Sequence, residues 1–169
     1  MLGQKILGPV SNADTTQFAA EKEQRVFTAA ANISVGMVVA LTSGDTTGTK
    51  VVKCQALATQ DHLVVGVYEG IGGTGTDTTA TGATGKNAVT NDIITVTTLG
   101  IASALIWAQT TATTDLNILI PSLTVGKDGY LEEGGQTFTA GAVPAFITKE
   151  AAATTTGTSI TKKVWVNCI

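Results

Sequence analysis

The chain is poor in the residues from which most active sites and charged binding surfaces are built. Of its 169 residues, 14% are charged and 5% are aromatic, and it contains one histidine, two cysteines and three prolines. Average soluble chains carry roughly 25% charged residues, so few titratable side chains are left to form a catalytic cleft. The net charge is -3, and the basic residues are scattered apart from Lys162 and Lys163. Because a nucleic-acid interface needs a basic stripe, we expect no nucleic-acid partner.

Long apolar runs are also missing. The longest, Ile101–Ala108, is far short of the roughly 18 residues of a membrane span. Residues Met1–Val10 lack the apolar core of a secretory signal, so we expect neither secretion nor a membrane partner. Cys54 and Cys168 are then expected to be buried free thiols, although a disulfide between them stays open.

Threonine, glycine and short runs of β-branched residues dominate what is present, and they favour strands and turns over helices. No helical pattern separates the runs, and a spacing of roughly 8 to 12 residues is typical of antiparallel sandwiches and barrels. We therefore predict an all-β fold, an antiparallel sandwich or small barrel with an extended N-terminal arm. The predicted strands are Val26–Ala30, Met37–Thr42, Val51–Ala58, Leu63–Glu69, Ile93–Leu99, Ile101–Trp107, Leu116–Ile120, Gly129–Glu132, Ala145–Glu150 and Ile160–Cys168.

Residues 1–25 differ from the rest and are predicted to form the arm, with residues 26–169 as the β-rich core. The arm holds Pro9 and alternating charges, and Asp14 with Gln17 resembles a capping box, so a short helix over 15–24 is an alternative. Exposed apolar residues at a terminus usually find a partner, so we expect the arm to lie over a neighbouring copy or a larger assembly. Packing of the arm on its own subunit stays open. Its apolar candidates for partner binding are Ile6, Leu7, Val10 and Phe18.

The last predicted strand alternates in polarity. Val164, Val166 and Cys168 share one face, and Lys163 and Trp165 share the other. The apolar face is predicted to close the core. Trp165 is then exposed, which makes it the fifth candidate partner-binding residue.

Residues 70–90 are nearly all glycine, threonine and alanine. Such residues bury too little apolar surface to offset the conformational entropy lost when the chain is ordered. We therefore predict a mobile loop, which a partner protein could contact. Gly70–Gly75 satisfies the pattern G-x-G-x-x-G, but no helix follows to bind a pyrophosphate. We therefore predict no dinucleotide site.

No motif predicts catalysis or metal binding. His62 lies beside Asp61, but neighbours in a strand point to opposite faces and no G-x-S-x-G sequence is present. Glu132 and Glu133 are expected to be solvated charges of a turn. One histidine and two remote cysteines lack zinc-site spacing. We predict no catalytic residue, no metal, no cofactor and no small-molecule substrate, and thus no enzyme.

The order of segments from Asn32 onward resembles that of the tailed-phage capsid decoration (cement) proteins of the DUF2190 type. The likeness is a pattern of strands and turns over about four-fifths of the chain; the arm and the loop over 70–90 depart from it. The segments that carry it are Ile33–Leu41, Asp61–Gly70, Asp92–Gly100, Leu123–Gln136, Val143–Ala151 and Val164–Val166.

That resemblance implies a structural virion protein on the outer capsid surface, made in the host cytoplasm. Members of the family are often homotrimers and staple neighbouring capsid subunits, so the implied partners are the major capsid protein lattice and further copies of this chain. The alternative is a fibre-type or adhesive carbohydrate-binding β module. In that case Tyr68, Trp107, Tyr130 and Trp165 would supply the stacking platforms.

Overall fold

The computed structural model describes residues 22–55, 63–77, 85–108, 112–113, 118–133, 146–148, 152–153 and 157–168. All regular secondary structure within these ranges consists of β-strands, which confirms the predicted all-β class. The strands are β1 (Glu23–Ala29), β2 (Val38–Leu41), β3 (Lys50–Lys53), β4 (Val64–Tyr68), β5 (Ile93–Trp107), β6 (Ala112–Thr113), β7 (Ile118–Pro121), β8 (Leu131–Glu133), β9 (Phe146–Thr148), β10 (Ala152–Ala153) and β11 (Ser159–Asn167).

Five strands close into a barrel in the order β1-β3-β2-β4-β5, because β5 pairs back with β1. The pairing of β1 with β3 is parallel, and the other four are antiparallel. The inward side chains form the barrel core, a cluster of buried residues. Its members are Ala29, Ile33, Val35, Val39, Val51, Val65, Tyr68, Ala88, Ile94 and Val96.

Four more strands, β11, β9, β7 and β8, extend the sheet outside the barrel. The series returns to β5 through one parallel pair, Ile106 with Leu131. Between these strands and the barrel wall lies a second buried cluster, the outer core. It consists of Val38, Ala40, Cys54, Val67, Ala102, Ala104, Ile106, Leu119, Leu131, Phe146, Val164 and Val166.

Strand β2 lies between the two cores. Val39 belongs to the barrel core, whereas its neighbours Val38 and Ala40 belong to the outer core. A strand that is buried on both faces needs apolar residues at consecutive positions. This explains why the sequence here is a continuous apolar run instead of an alternating one.

Strand β5 is one element of 15 residues, whereas the sequence predicted two strands separated at Gly100. Gly100 has a φ of +100°, a backbone conformation that residues other than glycine rarely adopt. It lies where the pairing of β5 passes from β1, which ends its register at Leu99, to β11. The glycine therefore permits a change of partner within the strand and does not end it.

The predicted mobile loop over 70–90 is ordered in its described parts, residues 70–77 and 85–90. Tyr68 Oη donates a hydrogen bond to the carbonyl oxygen of Lys86 at 2.6 Å, and backbone bridges join Ile33 with Ala88 and Asp77 with Lys86. The low-complexity residues lack a core of their own, but neighbouring strands supply their partners. Residues 78–84 lie outside the described ranges.

The first strand begins earlier than the predicted start at Val26. Residues 23–25, which the sequence analysis assigned to the arm, pair with β5. The candidate helix over 15–24 is therefore wrong at its end, because Glu23 and Gln24 are in a strand. Residues 1–21 lie outside the described ranges, so the division into arm and core stays a prediction.

Gly66 provides a test of the barrel. It lies at the irregularity between β2 and β4 with a φ of +149°, and an added Cβ would collide with the backbone carbonyl of Thr97. We expect Gly66→Ala to cost more than about 4 kcal/mol of unfolding free energy or to prevent folding, as measured by denaturant melts. The control is Gly48→Ala, which also has a positive φ but no atom near the added Cβ. It should cost only about 1 kcal/mol, and an equal loss in both variants would contradict the assignment.

The C-terminal strand provides a second test. Val164 and Val166 are fully buried in the outer core, and β11 pairs with β5 at nine positions. Deletion of residues 164–169 should therefore abolish the cooperative thermal transition measured by circular dichroism. Lys163→Ser, at an exposed position of the same strand, should leave that transition nearly unchanged. A soluble truncation that still melts cooperatively would show that the strand is peripheral.

Candidate partner-binding surface

An apolar strip lies on the outer face of β5, β11 and β9. Trp165 is paired with Ile101 on one side and Ile147 on the other. Residues directly opposite each other in an antiparallel sheet share a face, and Leu99 lies two residues before Ile101 on that face. Trp165 is 39% exposed and the other three are partly exposed. We call these four residues the Trp165 strip.

The alternation of β11 puts Trp165 on this face. Val164 and Val166 are buried, whereas Lys163 and Trp165 are exposed. The outward position of Trp165 predicted from the sequence is thereby confirmed. Its role in binding a partner stays a prediction.

A polar group, the Glu69 cluster, lies on the same outer face beside the strip. The carboxylate of Glu69 forms an ion pair with Lys22 and accepts hydrogen bonds from Thr97 Oγ1 at 2.7 Å and from the backbone N–H of Ser103 at 2.9 Å. Lys163 Nζ in turn donates to Ser103 Oγ at 2.7 Å. The first described residue of the chain is thus fixed close to the Trp165 strip.

A second apolar group, the Val26 patch, lies at the start of β5, whereas Leu99 and Ile101 are near the middle of that strand. Val26, Ile71 and Ile93 are 66%, 50% and 69% exposed. Val26 is paired with Thr95, and the N–H of Thr95 donates to the carbonyl oxygen of Ile71 at 3.0 Å. Ile93 and Ile101 are eight residues apart, about 26 Å along the strand, and the nearest β5 positions of the two groups, Thr95 (the partner of Val26) and Leu99, are about 13 Å apart.

Most of these surface residues were not predicted from the sequence. It found Trp165 through the alternation of the last strand, but Val26, Ile71, Ile93, Ile101 and Ile147 received no surface role. The same signal was present in β5, where positions 93, 95, 99, 101 and 103 are exposed or partly exposed and Thr97 is the buried exception. Ile71 has no such signal, because it lies outside any strand.

Two aspartates hold loops of the barrel. Asp92 accepts hydrogen bonds from Val89 N–H, Thr74 N–H and Thr74 Oγ1, each at 2.8 Å. These bonds favour the charged form and lower the pKa of Asp92, the one from Val89 N–H most. Asp45 accepts comparable bonds, the largest effect coming from the hydroxyl of Thr47, and its pKa falls to about 2. Both carboxylates therefore act on the chain's own backbone.

Glu132 corrects an expectation from the sequence. It was predicted to be a solvated charge, but it is only 3% exposed. Its carboxylate accepts hydrogen bonds from Ser122 Oγ at 2.7 Å, Leu123 N–H at 2.9 Å and Thr124 Oγ1 at 3.1 Å. These bonds join the two ends of the β7–β8 hairpin, so Glu132 has a structural role.

The four aromatic residues of the adhesive alternative are not assembled into one platform. Tyr68 is fully buried, and burial raises its pKa to about 12. Lys127 Nζ lies 3.7 Å from the ring centroid of Trp107 and 5.8 Å from that of Tyr130. Of the four, Trp165 alone is an exposed residue. A sugar that stacked on the Trp107 face would have to displace the ammonium of Lys127.

Both cysteines are free thiols, as predicted. Cys54 is buried in the outer core, and Cys168 is partly buried against the same cluster. Burial raises the pKa of Cys54 to about 11 and that of Cys168 to about 12. At neutral pH both are therefore protonated, the form that is a poor nucleophile.

Several residues singled out from the sequence lie outside the described ranges: Ile6, Leu7, Val10, Phe18, Asp61 and His62. Within those ranges, no group of three or more His, Cys, Asp or Glu side chains could hold a metal ion. The described part of the chain contains no helix long and apolar enough to span a membrane.

One solved structure that resembles this chain is a phage protein. No family model and no curated protein matches the chain. The head fibre protein gp8.5 N base of bacteriophage phi29 is 15% identical, with a TM-score of 0.40 over 88% of this chain and 98% of that one. At this similarity the match carries no functional argument. The resemblance to decoration proteins rests on the six sequence segments alone.

Asp92 gives a pH-dependent prediction. Because its pKa is lowered in the folded state, its stabilisation is present above the ordinary value of 3.8 and is lost as the pH falls through the lower folded value. We expect Asp92→Asn to lower the melting temperature at pH 7 and to expose residues 70–90 to limited proteolysis. The difference from the parent should shrink in strong acid.

The control for that experiment is Asp77→Asn. Asp77 is bridged to Lys86 through the backbone, which this substitution keeps. It should leave melting and proteolysis unchanged. Equal behaviour of the two variants would show that Asp92 does not hold the loop.

Proposed function

We propose that this chain is a structural virion protein that binds the outside of an assembled phage capsid and stabilises it. The observation that carries the proposal is the outward face of β5, which presents the Trp165 strip and the Val26 patch. Exposed apolar groups on a protein with few charges are typical of a surface that contacts another protein. The expected partners are the capsid lattice and other copies of this chain, with a trimer favoured.

The positions of the resembling segments support this proposal. Each of the six segments contains or overlaps one strand of the sheet: β2, β4, the first half of β5, β8, β9 and β11 in turn. The segments that carry the resemblance are therefore strands of the sheet, as the resemblance implies. That agreement concerns architecture, and the choice of a capsid as the partner comes from the resemblance.

The mechanism is mass action. A protein that binds only the assembled lattice stabilises that state by RT ln(1 + [L]/Kd), where [L] is its free concentration. Repetition over many equivalent lattice sites adds these contributions. No covalent bond is made or broken, so this role requires a surface complementary to the capsid and no catalytic group.

The adhesive alternative is less well supported by the geometry. A carbohydrate site needs aromatic faces that converge, whereas Tyr68 is buried and Trp107 contacts Lys127. Of the four candidate aromatic residues, Trp165 alone is exposed. A glycan array with reproducible hits that are lost in Trp165→Ala would overturn the capsid proposal in favour of this one.

The direct test mixes the purified protein with expanded capsids that lack it, and measures binding and the thermal transition of the capsids. We expect binding and a higher transition temperature. Trp165→Ala and Ile93→Ser should each weaken binding by about tenfold or more, which corresponds to about 1.4 kcal/mol.

The matched control is Val125→Ser. Val125 is 78% exposed, but it lies between β7 and β8 and not on the outer face of β5. It should bind like the parent. Absence of binding by the parent protein, or equal binding by all variants, would contradict the proposed surface.

A further inference from the structure

The loop between β7 and β8 places a lysine against two aromatic rings. Trp107 is the last residue of β5, and Tyr130 directly precedes β8, which pairs with β5 through Ile106 and Leu131. Lys127 Nζ lies 3.7 Å from the ring centroid of Trp107 and 5.8 Å from that of Tyr130. Both distances are within the roughly 6 Å of a cation–π contact, so the two rings face the same cation.

Ion pairing does not account for the position of this lysine. Among the described residues, the ion pairs involve the cations of Lys22, Arg25 and Lys53, and Lys127 takes part in none of them. The neighbouring carboxylate of Asp128 lies 3.6 Å from Lys53 Nζ. The two rings therefore hold the Lys127 ammonium, and the chain's own side chain shows that this place accepts a cation.

The two rings are positioned by backbone bonds and not by the lysine side chain. Trp107 is paired with Ser159 in the ladder between β5 and β11. The carbonyl oxygen of Tyr130 accepts the N–H of Ser122 at 2.8 Å, and its own N–H donates to the carbonyl oxygen of Lys127 at 3.2 Å. The ammonium of Lys127, in contrast, is carried by a flexible four-carbon stem. The rings thus form a fixed pair, and the ammonium is the part that can move.

We propose that Trp107 and Tyr130 form a binding site for a quaternary ammonium group, which Lys127 occupies until such a ligand displaces it. The ammonium of lysine is compact and strongly hydrated, so it loses hydration when it contacts a ring. A trimethylammonium group carries the same charge on an apolar surface, and aromatic residues are the groups that recognise it in proteins. Both rings and Lys127 are partly exposed, so a ligand can reach them from solution.

Lys127 is then an internal competitor of the ligand. A short flexible tether gives a group an effective concentration of about millimolar, so a ligand has to compete with Lys127 at that level. Removal of the lysine ammonium should therefore strengthen binding. The site belongs to neither the Trp165 strip nor the Val26 patch, and it is independent of the partner that those surfaces bind.

The experiment uses Trp107 as the reporter. The chain has two tryptophans, so Trp165→Phe leaves Trp107 as the single fluorophore. In that background, tetramethylammonium and choline chloride should change the emission with half-saturation at about millimolar concentration. Lys127→Gln should lower the half-saturating concentration about tenfold, because it removes the competitor. The control Lys53→Gln also removes one positive charge near this loop and should leave the titration unchanged.

Further ligands test the chemistry of the site. Ammonium chloride and the neutral isostere 3,3-dimethylbutan-1-ol should have no effect at the same concentrations, because one is strongly hydrated and the other is uncharged. Phosphatidylcholine vesicles distinguish the sources of the ligand: cosedimentation with them indicates a lipid headgroup, and a response to soluble choline alone indicates a free cation. Either result supports the site. Guanidinium that acts as strongly as tetramethylammonium would overturn the assignment in favour of an arginine of a protein partner.

An emission that no quaternary ammonium changes, in the parent background and in Lys127→Gln alike, would also overturn the proposal. If Lys127→Gln does not fold, the unchanged chain still provides a test by nuclear magnetic resonance. The ε-methylene protons of Lys127 lie near the Trp107 ring and should move downfield when tetramethylammonium displaces the side chain. Resonances that stay in place would contradict displacement. A failure of capsid binding leaves these readouts untouched, so the two proposals are tested separately.

Discussion

The architecture depends on the pairing of one strand, β5, with two different sets of neighbours. Its first half closes the barrel through β1 and β4, and its second half carries β11. The inward residues of the first half, such as Ile94, belong to the barrel core. Those of the second half, such as Ala104, belong to the outer core. Each core therefore needs β5 in place, and we expect the two to unfold together as one cooperative unit.

The opposite face of β5 determines what the protein can present to a partner. The even-numbered residues of this strand are buried, whereas residues 93, 95, 99, 101 and 103 are exposed or partly exposed and include members of both apolar groups. The Glu69 cluster contacts β5 at Thr97 and Ser103, on either side of Leu99 and Ile101, and consists of groups that bond to one another. A strand that builds both cores thus also sets the spacing of the candidate contact surface.

The fold was predicted correctly from the sequence wherever apolar and polar residues alternate along a long strand. The alternation around Trp165 correctly gave both the buried face and the exposed ring. Prediction failed where the residue that binds a side chain or holds a loop is distant in the sequence. Glu132 was taken for a solvated charge because Ser122, ten residues earlier, is not visible as its partner, and the loop over 70–90 was taken for mobile because Tyr68 and Asp92 hold it from outside. Gly100 was read as a break because composition does not show that glycine lets a strand change neighbours.

The carboxylates that hold the loops should make the stability of those loops nearly independent of salt concentration. Asp45, Asp92 and Glu132 accept hydrogen bonds from backbone N–H groups and hydroxyls at short distance. Such bonds involve no second ion, so dissolved salt weakens them little. The Lys22–Glu69 contact is instead an ion pair near the surface, where mobile ions screen the attraction. Rising ionic strength should therefore loosen the exit of the N-terminal segment while the barrel and its loops keep their form.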